Sequence, residues 1–314
     1  MIRPVLVTGA AGFAGSHLLD LLAREDHPIV AWSRRGMPGP AGGGERCAWR
    51  AVDVTAPDDV DRAIAESQPR VIYHCAGDAQ SNRDATQVGT TLAVNVRGTQ
   101  HVLDAVRRHA RDARVIVTGS ALVYKASSAP LTEESAIAPA GGYPLSKLAQ
   151  ETLALRSAQH DGLDVIIARA FNHIGPRQSP AFVASSVAQQ IARIEVGLRE
   201  PRLLVGNLEP RRDLADVRDT VRAYRALADR GVAGTAYNVC RGEASTIRSL
   251  VEGLVARARV PVEIVVDPAR LRPMDVPVLV GSHDRITAAT GWRPEIPLAQ
   301  TLDDLLSWWR QIEH

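Results

Sequence analysis

The sequence predicts an α/β protein built on a doubly wound parallel sheet, with a smaller region appended at its C-terminal end. Three observations carry that expectation. Short apolar runs of β character alternate with helix-length segments through the first half of the chain, a glycine-rich turn joins the first run to the first helix, and the alternation stops after about Phe171. Because parallel strands need helical crossovers, repeated βαβ units imply helices on both faces of one sheet.

The first strand is expected at residues 4–8 and the first helix at 13–24, where Phe13, Leu18, Leu19, Leu21 and Leu22 keep helical spacing. Residues 27–32 are apolar again, and residues 36–44 hold five glycines and two prolines, the composition of a surface loop. Further strands are expected at 47–52, 71–75, 114–118 and 164–168, alternating with helices at 58–67, 90–111 and 143–160. Beyond these lie helices at 182–197, 217–230, 247–258 and 298–312 and isolated strands at 203–205, 236–239 and 262–266. Residues 1–170 are thus expected to form the wound sheet. Residues 171–314 are expected to form a smaller region resting on the strand ends, able to return one or more elements to the sheet. Trp308 and Trp309 read as aromatics that dock the last helix.

Composition excludes several classes. The chain has 314 residues, 45% of them apolar and 23% charged, and 37 basic against 35 acidic side chains leave a net charge of +2. That balance argues against a nucleic-acid partner, which normally requires a basic excess or stripe. No apolar run approaches the ~18 residues of a membrane span, and the short apolar stretch at the N-terminus is expected to carry no export signal. The three cysteines, Cys47, Cys75 and Cys240, are far apart with no C-x-x-C and no metal spacing, so free thiols in a reducing cytoplasm and no metal site are expected. Among the basic residues only Lys125 and Lys147 are lysine. Arginine has taken the generic surface positions, so a remaining lysine calls for a chemical reason.

Thr8-Gly9-Ala10-Ala11-Gly12-Phe13-Ala14-Gly15 places glycines at i, i+3 and i+6 between a strand and a helix. Gly9 and Gly12 allow a tight turn and close approach of a pyrophosphate to the helix N-terminus, flanked by Phe13 and Ala14, while Gly15 allows the helix to pack against the strand. A second constellation is Tyr143 with Lys147. At i and i+4 on a helix they share a face, so the ammonium is expected to pull the phenol pKa down from about 10 and ready it for proton exchange with a carbonyl. Ser120, at the end of a buried-type strand, can point its hydroxyl into the cofactor crevice.

The glycine spacing resembles the T-G-x-x-G-x-x-G of the extended branch of the short-chain dehydrogenase/reductase superfamily. Tyr143-Pro144-Leu145-Ser146-Lys147 resembles its Y-x-x-x-K pair, and residues 117–124 resemble the strand and loop carrying its catalytic Ser or Thr. The resemblance implies a Rossmann-type sheet that binds a dinucleotide over residues 1–170, with Ser120, Tyr143 and Lys147 catalytic. It gives Asn95 a supporting role, Asp53-Val54 a contact with adenine, and His74-Cys75-Ala76-Gly77, through Ala76 and Gly77, the turn beneath the nicotinamide ribose. It also implies a homodimer packed through the helices containing Asn95 and Tyr143. At the end of the second strand, NAD-specific relatives place an acid, whereas this chain reads Ser33-Arg34-Arg35. A carboxylate repels a 2′-phosphate and an arginine binds it, so NADP(H) is the expected cofactor.

In the second half, residues 171–180, 205–209, 211–213, 216–219 and 271–277 resemble nucleotide-sugar enzymes, nearest to the GDP-mannose 4,6-dehydratase and GDP-4-keto-6-deoxymannose reductase group. Arg212 and Arg272 are candidate cationic forks for a diphosphate, and Asn172 a candidate amide for a phosphate or sugar. His173 reads as structural. In the dehydratases of that group a glutamate two residues after the Ser or Thr removes the C5 proton; here that place is Leu122, which cannot move a proton. The resemblance therefore implies a cytoplasmic NADPH-dependent 4-ketoreductase of deoxysugar biosynthesis, acting on GDP-4-keto-6-deoxymannose first and a dTDP-4-keto-6-deoxyhexose second. Two alternatives stay open: a dehydratase or epimerase that recycles its cofactor, and a catalytically silent NADPH-binding regulator or scaffold.

The arginine pair yields a direct expectation. Replacing Arg34 and Arg35 together with neutral residues should weaken NADPH binding far more than NADH binding in parallel fluorescence titrations. Equal losses would show that their charge has no 2′-phosphate to meet.

Overall fold

The computed structural model describes residues 2–36, 46–79, 85–271 and 276–313. Its first half runs β1 (Val5–Thr8), α1 (Phe13–Leu22), β2 (Ile29–Ser33), β3 (Cys47–Ala51), α2 (Pro57–Ser67), β4 (Val71–His74), α3 (Val88–Leu92), α4 (Gly98–His109), β5 (Arg114–Ser120), α5 (Gly142–Asp161) and β6 (Asp164–Ala170). The second half runs β7 (Asn172–Ile174), α6 (Val183–Glu195), β8 (Arg202–Val205), β9 (Arg211–Asp216), α7 (Val217–Arg230), β10 (Ala236–Val239), β11 (Ala244–Thr246), α8 (Ile247–Val255), β12 (Glu263–Val266), β13 (Val278–Leu279), α9 (Asp284–Thr290) and α10 (Leu298–Glu313). Seven strands form a parallel sheet in the order β10-β6-β5-β4-β1-β2-β3.

The sheet is apolar on both faces because both are covered. Side chains alternate along a strand. Val5 and Val7 accordingly join a core with Leu18, Leu19 and Leu22 of α1 and Val221, Tyr224 and Leu227 of α7. Leu6 points the other way, into a core with Val60 and Ile64 of α2, Val102 and Val106 of α4, and Ala154 of α5. Each Val, Leu or Ile among them, taken out of water, contributes roughly 1.5–3 kcal/mol.

The helix expected at 90–111 is broken: α3 and α4 are joined by a π-helical turn over Ala93–Arg97 that holds Asn95 fully buried. One extra residue per turn re-aims a side chain, the usual purpose of such an insertion. The second half also reaches the main sheet. It returns β10 to the main sheet beside β6, and α7 to the face already covered by α1.

The remaining strands build a small sheet in the order β11-β9-β13, with β7 also paired to β9, and a separate β8-β12 pair. Trp309 is buried in their core and its indole N–H donates to Ser185 Oγ at 2.9 Å, with Trp308 edge-on to it at 4.7 Å, which docks α10 on α6. β9 reads Arg-Arg-Asp-Leu-Ala-Asp, yet its last four residues are buried. Asp213 is fully enclosed because backbone N–H groups serve it: Arg241 N–H reaches Oδ1 at 2.6 Å, while Gly242 and Gly281 N–H reach Oδ2 at 2.9 and 3.3 Å.

That cradle only donates, and the carboxylate only accepts. In Asp213→Asn an amide NH2 must face a backbone N–H on one side, leaving donors opposed, and the variant should lose about 1–3 kcal/mol of stability in urea denaturation. An unchanged midpoint would mean that the cradle does not hold β9 in place.

Candidate functional site

The sheet order places β1 between β4 and β2, and the chain winds outward in opposite directions from the β1/β4 boundary. A crevice opens at the carboxyl ends of the strands at such a switch point. Gly9 closes it from below. Its φ is +62°, and a Cβ there would lie 2.7 Å from the backbone of Ala76 after β4. Gly15 is equally confined, since a Cβ would lie 2.3 Å from the Gly9 carbonyl oxygen. The helix α1 consequently starts hard against the strand end. Gly12 is its N-cap and provides no side-chain acceptor, so the first-turn N–H groups, with Phe13 and Ala14, are left without a side-chain cap.

Other features fit a dinucleotide along this edge. Ser33 Oγ, at the end of β2, is buried without a hydrogen-bond partner among the described residues, beside the exposed Arg34 and Arg35. Asp53 accepts the Thr55 N–H and hydroxyl at 2.9 and 2.8 Å, and together with the nearby Arg34 charge these hold its carboxyl below the usual range. Val54 is buried; its carbonyl accepts His101 Nδ1–H at 2.9 Å. Gly77 leaves a notch in which a Cβ would sit 3.3 Å from Asn95 Oδ1 and 3.6 Å from Lys147 Nζ.

Ser120 ends β5, Tyr143 lies in the first turn of α5 and Lys147 one turn further. The Ser120 hydroxyl hydrogen-bonds the Tyr143 phenol and also accepts the Leu122 N–H at 3.2 Å. Lys147 Nζ lies 6.0 Å from the Tyr143 ring centre and donates to Thr118 O at 2.8 Å and Gln150 Oε1 at 2.9 Å. Asn95 acts as a bracket. Its Oδ1 accepts the Asp78 N–H at 2.8 Å, and its Nδ2 donates to Asp78 O and to Ser146 Oγ, each at 2.9 Å.

On the substrate side, Leu122 packs partly buried among Val123, Tyr124, Phe171 and Leu279. Asn172 is exposed two residues beyond Ala170, which pairs with Ser120, so it stands close to the reacting edge. Arg212 is half-buried on β9 and donates to Arg211 O at 3.0 Å; two residues further along the same strand Leu214 pairs with Asn172. Arg272 lies outside the described residues. His173 is stacked on Phe13 at 5.6 Å and bonded to Phe171 O at 3.0 Å, with burial lowering its pKa.

Comparison with known proteins fits this geometry. The profile of the NAD dependent epimerase/dehydratase family matches residues 5–240. The chain belongs to that family. It is 37% identical over 312 residues to the GDP-6-deoxy-D-mannose reductase of Pseudomonas aeruginosa, covering 98% of both chains. It is 30% identical to the dTDP-glucose 4,6-dehydratase of Streptomyces griseus, covering 99% of this chain and 95% of that one. The solved structure of RMD from Pseudomonas aeruginosa complexed with NADPH superposes with a TM-score of 0.87 at 36% identity, covering 99% of each chain.

Within this epimerase/dehydratase site the electrostatics correct one expectation. The Tyr143 phenol is not drawn down by Lys147; burial pushes it up to about 12, the Ser120 hydrogen bond opposes that, and the Asp78 carboxylate adds to it. Lys147 directs its bonds elsewhere, and burial lowers it to about 8. Asp78 and Gln150 escape the sequence analysis, and His74 enters it only as part of the turn beneath the ribose. Asp78 and His74 flank the recognised Ala76-Gly77 turn, and Gln150 follows Lys147 by three, but none has a spacing that announces its chemistry.

His74 is fully buried between Thr8 Oγ1 at 2.8 Å and Thr99 Oγ1 at 2.9 Å, and burial, aided by the Lys147 charge, drives its pKa down to about 3. The native state therefore resists the proton that the unfolded chain takes up below about pH 6.5. Stability conferred by neutral His74 is complete above that pH and declines as pH falls toward 3. Between pH 7 and pH 5 the wild type should lose more unfolding free energy than His74→Gln does; equal losses would mean that His74 is not held neutral.

Proposed function

We propose that the protein is an NADPH-dependent oxidoreductase that reduces the C4 carbonyl of a nucleotide-diphospho-4-keto-6-deoxyhexose, with the GDP-4-keto-6-deoxymannose substrate ranked ahead of a dTDP-linked one. The observation that carries this reading is Ser120, Tyr143 and Lys147 gathered at one crevice while Leu122 occupies the position of a dehydratase base. Similarity over the whole chain to a GDP-6-deoxy-D-mannose reductase, and to a structure complexed with NADPH, supports it.

When bound, NADPH supplies the hydride. The chain's own residues do the rest. Ser120 donates a hydrogen bond to the carbonyl oxygen and polarises it. Tyr143, with its pKa at about 12, carries its proton at neutral pH and gives it to the oxygen as charge develops there. Lys147 offers its remaining N–H toward the Gly77 notch, where the nicotinamide ribose is placed by this reading. Gly9, Gly12, Phe13, Ala14 and Gly15 receive the pyrophosphate, Ser33, Arg34 and Arg35 the 2′-phosphate, and Asp53 and Val54 the adenine. Asn172, Arg212 and Arg272 are assigned to the substrate diphosphate and sugar.

Residues 1–170 then form the dinucleotide domain and most of residues 171–314 the nucleotide-sugar region. A homodimer packed through the helices that hold Asn95 and Tyr143 belongs to the same reading. Leu145, a large apolar residue left 51% exposed on α5, supports it. A cytoplasmic location is part of the same proposal. Among the described residues no helix is long and apolar enough to cross a membrane.

The test is a panel of GDP-, dTDP- and UDP-linked 4-keto-6-deoxy sugars offered with NADPH. One substrate should turn over, and Tyr143→Phe should lower kcat on it by about two to four orders of magnitude while NADPH still binds. Near-normal turnover in that variant would remove Tyr143 as the proton donor. Tight NADPH binding with no turnover across the panel would favour the regulator.

A further inference from the structure

Lys147 is one of only two lysines in the chain and is buried, 4% exposed. An ammonium in such a place needs acceptors for its three N–H bonds. The structure provides two, Thr118 O and Gln150 Oε1, and the third direction opens toward Gly77. No carboxylate hydrogen-bonds Lys147 among the described residues. The titratable groups that face it are the neutral His74 and Cys75 from the end of β4 and the Tyr143 phenol from α5, with Asp78 beyond the phenol. The acceptor at Gln150 is thus not duplicated by any charge.

Gln150 is itself fully enclosed, and its amide cannot turn over. Its Nε2 donates to Thr99 Oγ1 at 2.8 Å. The single hydroxyl hydrogen of Thr99 is given to Asn95 O at 2.7 Å, so Thr99 Oγ1 can only accept from Gln150. The same oxygen accepts His74 Nε2–H, His74 Nδ1 accepts the Thr8 hydroxyl, and Thr8 Oγ1 accepts the Ala76 N–H at 3.1 Å. Each donor in this chain has one acceptor assigned to it. A flipped amide would set its NH2 against the ammonium and its oxygen against a hydroxyl that has no hydrogen left to give.

We infer that Gln150 is a positioning residue for Lys147: its amide oxygen, locked toward the ammonium by Thr99 and His74, steadies the ammonium so that the remaining N–H points into the Gly77 notch. The inference rests on the reading of Lys147 as a working group of the site. Its test, however, is read on the protein without substrate, so a wrong substrate assignment and a wrong role for Gln150 give different results.

The two-lysine composition makes the test direct. Full-length protein grown with lysine carrying 13C at Cε gives two lysine resonances, and Lys125→Arg removes the exposed one. The remaining signal is titrated by NMR between pH 6 and 11 in wild type, Gln150→Met and Gln150→Glu. Loss of a neutral acceptor should lower the Lys147 midpoint by about one unit, and a carboxylate at the same place should raise it by about one unit or more. NADPH affinity at pH 8, read by fluorescence, should fall several-fold in Gln150→Met and be retained in Gln150→Glu. A residue that only fills space would move both variants the same way. Midpoints that shift together, or not at all, overturn the inference; if Gln150→Met does not fold, a midpoint in Gln150→Glu at or below that of wild type overturns it alone.

Discussion

A lysine ammonium taken out of water must be met by acceptors, and much of this molecule's interior follows from that requirement. Lys147 is held by a carbonyl at the end of β5 and by an amide of its own helix. The amide is held by Thr99 of α4, Thr99 and Thr8 hold His74 of β4, and Thr8 of β1 takes the N–H of Ala76. A single buried network therefore joins β1, β4, β5, α4 and α5 beneath the crevice. Because a half-satisfied polar network in low dielectric is worse than none, its members fix one another's orientation. The glycine turn fits the same geometry, since Gly9 leaves no room between β1 and Ala76.

A buried ion pair also fixes the helix that carries Tyr143 and Lys147. Arg169 of β6 holds Glu151 of α5 by two bonds, at 2.5 and 3.0 Å, and also donates to the Tyr124 hydroxyl at 2.6 Å. Tyr124 donates to Asn238 of β10 at 2.7 Å, and Asn238 N–H reaches Glu133 at 2.8 Å. The segment after Ser120, the helix after Tyr143 and the strand returned from the second half are thereby locked to one another. Such a pair adds little net stability against an apolar substitute of the same shape. What it supplies is a unique register between the elements that bring Ser120 and Tyr143 together.

Much of this was legible in the sequence. The short apolar runs and the glycine turn located β1 to β6, and Tyr143 with Lys147 located the first turns of α5. What escaped was what depends on enclosure. Residues 93–97 look like continuous helix because helical pattern cannot register an inserted residue, yet that insertion turns Asn95 onto Asp78. The Arg-Arg-Asp-Leu-Ala-Asp segment has no apolar run that announces a strand, and becomes one as backbone N–H groups from distant loops converge on Asp213. Proximity in sequence suggested that Lys147 lowers the Tyr143 pKa, whereas desolvation raises it and the ammonium bonds Thr118 and Gln150 instead. Sequence spacing reports who can meet, and only the packed interior decides which partner wins.

The central claim is that this site carries out a net reduction at a sugar carbonyl and no chemistry at the neighbouring carbon. Its most direct test uses NADPH deuterated at the transferring position of the nicotinamide, with the productive nucleotide keto-sugar, and reads the product by NMR against the NADPH oxidised. The account predicts one deuterium at C4 of the sugar for each NADPH consumed. Product that forms without net NADPH oxidation, or that carries no deuterium at C4, would contradict it.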